Sequence, residues 1–179
     1  MKNLKELFLD ELADAYSAEQ QLIKALPATA DAAHAEDLKE AFESHLQETE
    51  EHARRLEQVF ELFGEKAKAK KCKAMAGLIA EVEDTIDEDL EDAVKDAGII
   101  AGAQKIEHYE ISLYGTLRTW AELLGNQEAA ALLEETENEE KEADEKLNGI
   151  AESINIEANE GEEEDETAEA PAGRGKNSK

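Results

Sequence analysis

The 179-residue chain is poor in the residues that build disulfide-linked, sheet-rich or membrane-spanning proteins. Its single cysteine cannot form an internal disulfide, and two prolines with 4% aromatic residues disfavour a sheet-rich fold. No segment approaches the roughly 20 apolar residues of a transmembrane helix. Residues 1–10 carry acidic side chains where a signal peptide would need an apolar run. We therefore expect a soluble, cytoplasmic protein.

Basic residues are also scarce. The chain has 19 Lys and Arg against 46 Asp and Glu, which gives a formal net charge of −27 at pH 7. Such a surface repels phosphate groups, so binding to nucleic acid or to an anionic membrane is disfavoured. Cations are the expected partners.

What the chain does contain is Ala, Glu, Leu and Lys in helical periodicity, which predicts an all-α protein. Asn3 and Glu6 form a capping pair before the first helix. Pro27 should kink or end that helix, unless it continues to Ala33 with one hydrogen bond lost. Gly64 and Gly125 are expected helix ends. The other predicted helices cover residues 36–63, 75–90 and 98–124, and a last one runs from residue 127 to 154.

The connection over residues 65–97 is long enough to cross a bundle from end to end, and it carries the short helix. This pattern predicts a four-helix bundle of the ferritin-like type, with one long crossover that holds a short fifth helix. The bundle is expected over residues 1–156. Residues 157–179 are acidic and then rich in Ala, Pro and Gly, so they are predicted to form a disordered tail.

Each of the four long helices has a carboxylate within its apolar stripe. Two of them lie 15 residues before and 14 after His34, in the first turn, and two lie 16 before and 14 after Asn126, in the second. Antiparallel packing would bring all four to one depth of the bundle. Because burial disfavours the ionised form, something must compensate their charge. These residues are Glu19, Glu48, Glu110 and Glu140.

Further candidate ligands lie one turn away. His52 follows Glu48 by four residues and Asp144 follows Glu140 by four, so each pair shares a helix face. Glu107 is an alternative to Glu110, and His45 lies on the same flank as Glu48. Carboxylates with imidazole suit a pair of iron or manganese ions, and calcium is also compatible. The sequence predicts a site for two metal ions without choosing among them.

Five segments resemble the bacterial YciE/YciF stress proteins, a branch of the ferritin-like superfamily: AYSAEQQL, HLQETEEH, KCKAMAGLI, EHYEISLYGTL and LLEETENEEKEADEKL. The resemblance covers roughly residues 1–155. It implies a ferritin-like bundle, a homodimer, a dinuclear metal centre and a link to stress responses. The Glu-x-x-His spacing of the superfamily would place a histidine at Glu50, whereas this chain has His52.

Two functions remain open at this point. The first is a di-metal oxidoreductase that reacts with oxygen or peroxide, with an unknown redox partner. The second is a non-enzymatic dimeric stress protein in which metal is structural or absent. Iron storage is a weaker third possibility, since nothing in the sequence indicates a closed shell of many subunits.

Overall fold

Five α-helices form the described part of the protein. The structure is a computed structural model that describes the backbone of residues 1–168 and the side chains of residues 1–160. No β-strand occurs within residues 1–168, and no helix there is long and apolar enough to cross a membrane. The helices are α1 (Leu4–Ala32), α2 (Glu36–Leu62), α3 (Lys73–Asp87), α4 (Asp92–Leu123) and α5 (Gln127–Ala168).

The connections show that the crossover runs the length of the bundle. Helices α1 and α2 form one antiparallel hairpin, and α4 and α5 form the other. Asp96, near the start of α4, accepts hydrogen bonds from the backbone N–H groups of His34 (3.0 Å) and Ala35 (2.7 Å), in the turn between α1 and α2. At the opposite end, Asn126 donates to the carbonyl of Leu62 (3.2 Å). The crossover therefore links opposite ends, and the predicted ferritin-like architecture is confirmed.

Most of the predicted helix signals are confirmed. The side chain of Asn3 accepts a hydrogen bond from the backbone N–H of Glu6 (2.9 Å). Gly64 and Gly125 have φ of 77° and 78°, the left-handed conformation that ends a helix after its last turn. Helix α1 continues through Pro27 as far as Ala32, the second of the two predicted outcomes. Because Pro27 is exposed, its ring does not disturb the core.

Three helix boundaries differ from the prediction by three residues or more. Helix α3 ends at Asp87, and α4 begins at Asp92 rather than at Gly98. Helix α5 continues to Ala168, beyond its predicted end at residue 154, because Ala and Glu favour helix even where the apolar stripe has ended. The domain boundary at residue 156 stays a prediction. The rest of the predicted tail, residues 169–179, lies outside the described residues.

The hydrophobic core consists of two clusters with a polar layer between them. One cluster, next to the α1–α2 turn, contains Leu22 and Ile99 and is partly covered by α3. The other, next to the α4–α5 turn, contains Phe8 and Leu117. Each long helix contributes apolar residues to both clusters and polar residues to the layer between them. This arrangement positions the candidate site at mid-height in the bundle.

Candidate metal centre

Six ionisable side chains fill the layer between the two apolar clusters, and we call this set the polar layer. Helix α1 contributes one, α2 two, α4 two and α5 one. Every member is at most 6% exposed. Residues of these types are rarely buried unless they are paired or bind an ion. The polar layer consists of Glu19, His45, His52, Glu107, Glu110 and Glu140.

The polar layer divides into two groups that share Glu140. In each group the possible ligand atoms lie within 4.8 Å of one another. The first group is His45, Glu107, Glu110 and Glu140, and its His45 Nε2 lies 3.5 Å from Glu107 Oε1. The second is Glu19, His52 and Glu140. His52 Nδ1 lies 3.0 Å from Glu140 Oε1 and 3.9 Å from Glu19 Oε2.

The polar layer also holds the polar atoms that the fold leaves without hydrogen bonds. Among the residues whose side chains the structure describes, seven buried nitrogen or oxygen atoms have no hydrogen-bond partner. All seven belong to this layer, and both carboxylate oxygens of Glu110 are among them. The contact between His52 Nδ1 and Glu140 is close enough for an ion pair but lacks hydrogen-bond geometry. Such atoms cost free energy unless a ligand satisfies them.

The electrostatics of the layer are those of crowded, desolvated carboxylates. Burial raises the pKa of Glu19 to about 7 and that of Glu107 to about 8, and it raises the pKa of Glu110 well above its usual range. Burial alone would lower the pKa values of the two histidines. The carboxylates around them reverse this effect, raising the pKa to about 9 for His45 and about 10 for His52.

The donor set fits a pair of divalent metal ions. Four carboxylates carry four negative charges when ionised, and two divalent ions carry four positive charges, so neutral imidazoles complete a balanced site. Oxygen ligands with two imidazole nitrogens suit iron and manganese. The raised carboxyl pKa values are consistent with a site that exchanges protons for metal. The geometry therefore shows buried groups that could hold metal.

Two charged side chains, Glu139 and Arg55, orient His52. Its Nε2 lies 2.9 Å from Glu139 Oε2, so its Nδ1 faces the layer. Glu139 also accepts hydrogen bonds from Arg55, including one of 2.9 Å from Arg55 Nη2. The hydrogen bond from His52, together with Arg55, lowers the pKa of Glu139 to about 2. Supporting carboxylates of this kind fix the ring orientation of histidine ligands in metal sites.

Tyr114 supports the layer from the other side. This fully buried residue of α4 donates a hydrogen bond from its phenol to Glu19 Oε1. The bond leaves only Oε2 of Glu19 without a partner. The phenol therefore aims one oxygen of Glu19 toward His52.

Five of the seven predicted site residues lie in the polar layer: Glu19, His52, Glu107, Glu110 and Glu140. The two that remain outside it are Glu48 and Asp144. The side chain of Glu48 is 44% exposed and lies 3.4 Å from His45 Nδ1. Asp144 accepts a hydrogen bond from Gln104 (3.0 Å) at the edge of the bundle. Whether any of the seven binds metal stays a prediction.

His45 lies in the layer instead of Glu48 because of helix geometry. His45 and His52 are seven residues apart, which is close to two full turns, so they share one face of α2. Glu48 is rotated away from that face. Arg55, Tyr114 and Glu139 were not predicted. The signal for Tyr114 was its position four residues after Glu110, and for Arg55 its position three after His52.

Comparison with known proteins identifies the family of this chain. The family model described as Domain of unknown function (DUF892) matches residues 3–159. The chain belongs to the DUF892 family. A curated protein, YciF of Escherichia coli (strain K12), is 48% identical over 152 residues, which covers 84% of this chain and 92% of YciF.

Solved structures of similar proteins share the bundle. The crystal structure of the E. coli stress protein YciF matches with a TM-score of 0.84 and 47% identity, covering 86% of this chain and 98% of that one. YcfI from Rhodopseudomonas palustris matches with a TM-score of 0.80 and 45% identity, covering 82% and 94%. A protein from Xanthomonas campestris pv. campestris matches with a TM-score of 0.68 at 24% identity, covering 89% and 98%, and this match supports the fold alone.

Proposed function

We propose that this DUF892 protein holds two iron or manganese ions in its polar layer and reacts with oxygen or peroxide as part of a stress response. One observation carries the proposal: the seven buried polar atoms without hydrogen-bond partners all converge on this layer. A fold that leaves so many desolvated groups unsatisfied has either a ligand for them or a large cost in stability.

Separate sets of residues would hold the two ions. His45, Glu107 and Glu110 would hold one ion and Glu19 and His52 the other, and Glu140, which belongs to both groups, would contribute to each. When bound, such ions supply redox chemistry toward oxygen or peroxide. The chain's own contribution is to fix the ligands. Glu139 and Arg55 hold His52, Tyr114 holds Glu19, and the apolar clusters on both sides exclude bulk water.

The stress role rests on similarity. YciF of E. coli, described as a stress protein, is nearly half identical to this chain over most of its length. The homodimer and the cytoplasmic location stay predictions. Light scattering of the purified protein tests the first of these.

Metal analysis tests the proposal directly. Purified wild-type protein should contain about two transition-metal ions per chain, and Glu140→Gln should lose most of both because Glu140 belongs to both groups. Glu134→Gln is the matched control, since Glu134 is an exposed residue of the same helix and should leave the metal content unchanged.

Measuring turnover of peroxide distinguishes the oxidoreductase hypothesis from the hypothesis of a non-enzymatic stress protein. The loaded wild type should consume peroxide faster than Glu140→Gln does. If the metal content is full but the protein turns over neither oxygen nor peroxide, the metal has a structural role. This is the alternative that the sequence keeps open. A wild-type protein that binds no transition metal would overturn the proposal.

A further inference from the structure

A cavity of about 290 Å³ lies between α2 and α5, against one side of the polar layer. Its inner wall includes His45 and Glu107, which are members of the layer. Its outer part is lined by Glu48, Glu142 and Lys146, and the last two are exposed to solvent. The cavity therefore leads from solvent to the candidate metal site.

The cavity wall contains a series of acidic groups of increasing burial. Glu142 is exposed, the side chain of Glu48 is 44% exposed, and that of Glu107 is 4% exposed. Within the described residues Glu142 has no ion-pair partner within 4.0 Å, although Lys146 lies one turn away. Two buried atoms at the inner end, His45 Nε2 and Glu107 Oε2, have no hydrogen-bond partner. The wall offers a cation oxygen atoms at each depth.

Two other approaches to the layer suit a charged solute poorly. Along the bundle axis the layer is covered by the two apolar clusters. A second cavity also touches His45 and Glu107, but it has a volume of only about 40 Å³ and is lined mainly by apolar residues such as Leu22 and Val82. Moving a hydrated ion through apolar side chains costs far more than moving it past carboxylates.

We infer that the α2–α5 cavity is the path by which divalent cations enter the polar layer, and that Glu48 and Glu142 attract the cation at its mouth. This inference rests on the proposed function. It assigns Glu48 a role that fits its position, because Glu48 is half-exposed and lies beside His45. Carboxylates in a cleft raise the local concentration of cations and the rate of their association, an effect that salt screens.

The test is the rate of metal entry into the full-length protein. Chelator-treated protein is mixed with Co²⁺, and binding is followed by the visible absorption of the ion in a stopped-flow instrument. The double variant Glu48→Gln/Glu142→Gln should load about tenfold more slowly than wild type at low salt. At high salt the difference should shrink, and the final content should stay at two ions per chain.

A matched control removes the same charge elsewhere. Glu50 and Glu145 are exposed, lie on the same two helices and do not line the cavity. The double variant Glu50→Gln/Glu145→Gln should load at nearly the wild-type rate. Ala143→Phe tests the path without changing charge. Ala143 lines the cavity, so the larger side chain should slow loading at every salt concentration.

The outcomes separate the two proposals. If both cavity variants fill two sites at the wild-type rate, the entry path is wrong and the metal centre stands. If the Glu48→Gln/Glu142→Gln protein loses an ion at equilibrium, Glu48 is a ligand, and its assignment to the path is overturned. If the wild type binds no Co²⁺, the metal centre fails, and the entry path fails with it.

Discussion

Replacing Glu110 by Met should stabilise the protein without metal and destabilise it relative to wild type when metal is present. Glu110 is 0% exposed, and neither of its carboxylate oxygens has a hydrogen-bond partner. Burial raises its pKa well above the usual range, which favours the neutral carboxyl group without metal, and neither oxygen of that group has a partner. Methionine has a similar volume and length but no group that needs a partner.

The size of the effect follows from the unsatisfied group. A buried polar group without a partner costs about 1–3 kcal/mol, so Glu110→Met should raise the free energy of unfolding of the chelated protein by about 2 kcal/mol. For a chain of this size that corresponds to an increase in Tm of about 4–8 °C. In saturating metal the order should reverse, because a ligand at 100 times its Kd adds about 2.7 kcal/mol to wild type.

Calorimetry of both proteins, with chelator and with Mn²⁺, measures this reversal. Glu134→Met is the matched control, since Glu134 is exposed, and its Tm should move little in either condition. A chelated Glu110→Met protein that melts below chelated wild type would refute the reasoning. It would mean that the carboxyl group already has a partner without metal.

Two further predictions concern pH and the turn between α1 and α2. Chelated protein should lose stability as pH rises from 5 to 8.5 in a thermal-shift series, because the carboxyl pKa values of Glu19 and Glu107 are raised to about 7 and 8 in the folded state. Their stabilising effect is complete below the ordinary value of 4.5 and is lost as pH passes through the raised values. Asp96→Ala should lower the free energy of unfolding by about 1–3 kcal/mol in urea titrations, because it removes the acceptor for two backbone N–H groups at the start of α2.

The pH prediction and the Asp96→Ala prediction each have a control. Excess Mn²⁺ should stabilise the protein more at pH 8 than at pH 6, since protons compete with the metal for the same carboxylates. A chelated protein whose Tm is flat over this range would argue against buried, protonated acids. For the turn, Asp92→Ala removes a carboxylate that is 78% exposed and, among the described side chains, pairs only with the ring of His34, so a small effect is expected. Equal losses from the two substitutions would contradict the capping role of Asp96.

The bundle could be predicted from sequence because its signals are local. Apolar periodicity gave the helices, Asn3 and the glycines gave their ends, and the length of the segment between α2 and α4 gave the crossover. The end of the last helix is predicted at residue 154, where the apolar stripe ends, but α5 continues to Ala168. Helix propensity, unlike packing, does not require an apolar face.

The position of the site along the bundle axis could be predicted from the sequence. Which face of each helix points toward the site could not. Counting residues from the turns placed Glu19, Glu110 and Glu140 at one level, and they lie there. The same count could not determine which face of α2 points inward, and it favoured Glu48 over His45. The supporting residues Arg55 and Glu139 come from different helices, so their contact depends on the packing of α2 against α5, which spacing along one helix does not determine.

The membership of Glu140 in both groups has a consequence for how the site fills. One carboxylate that contacts both positions makes the second ion's affinity depend on whether the first is bound. Glu140 would contribute to both positions, so an ion already bound would neutralise part of the negative charge that attracts the other. A titration should therefore give two linked binding steps rather than two independent ones, and a change at this single side chain should alter both.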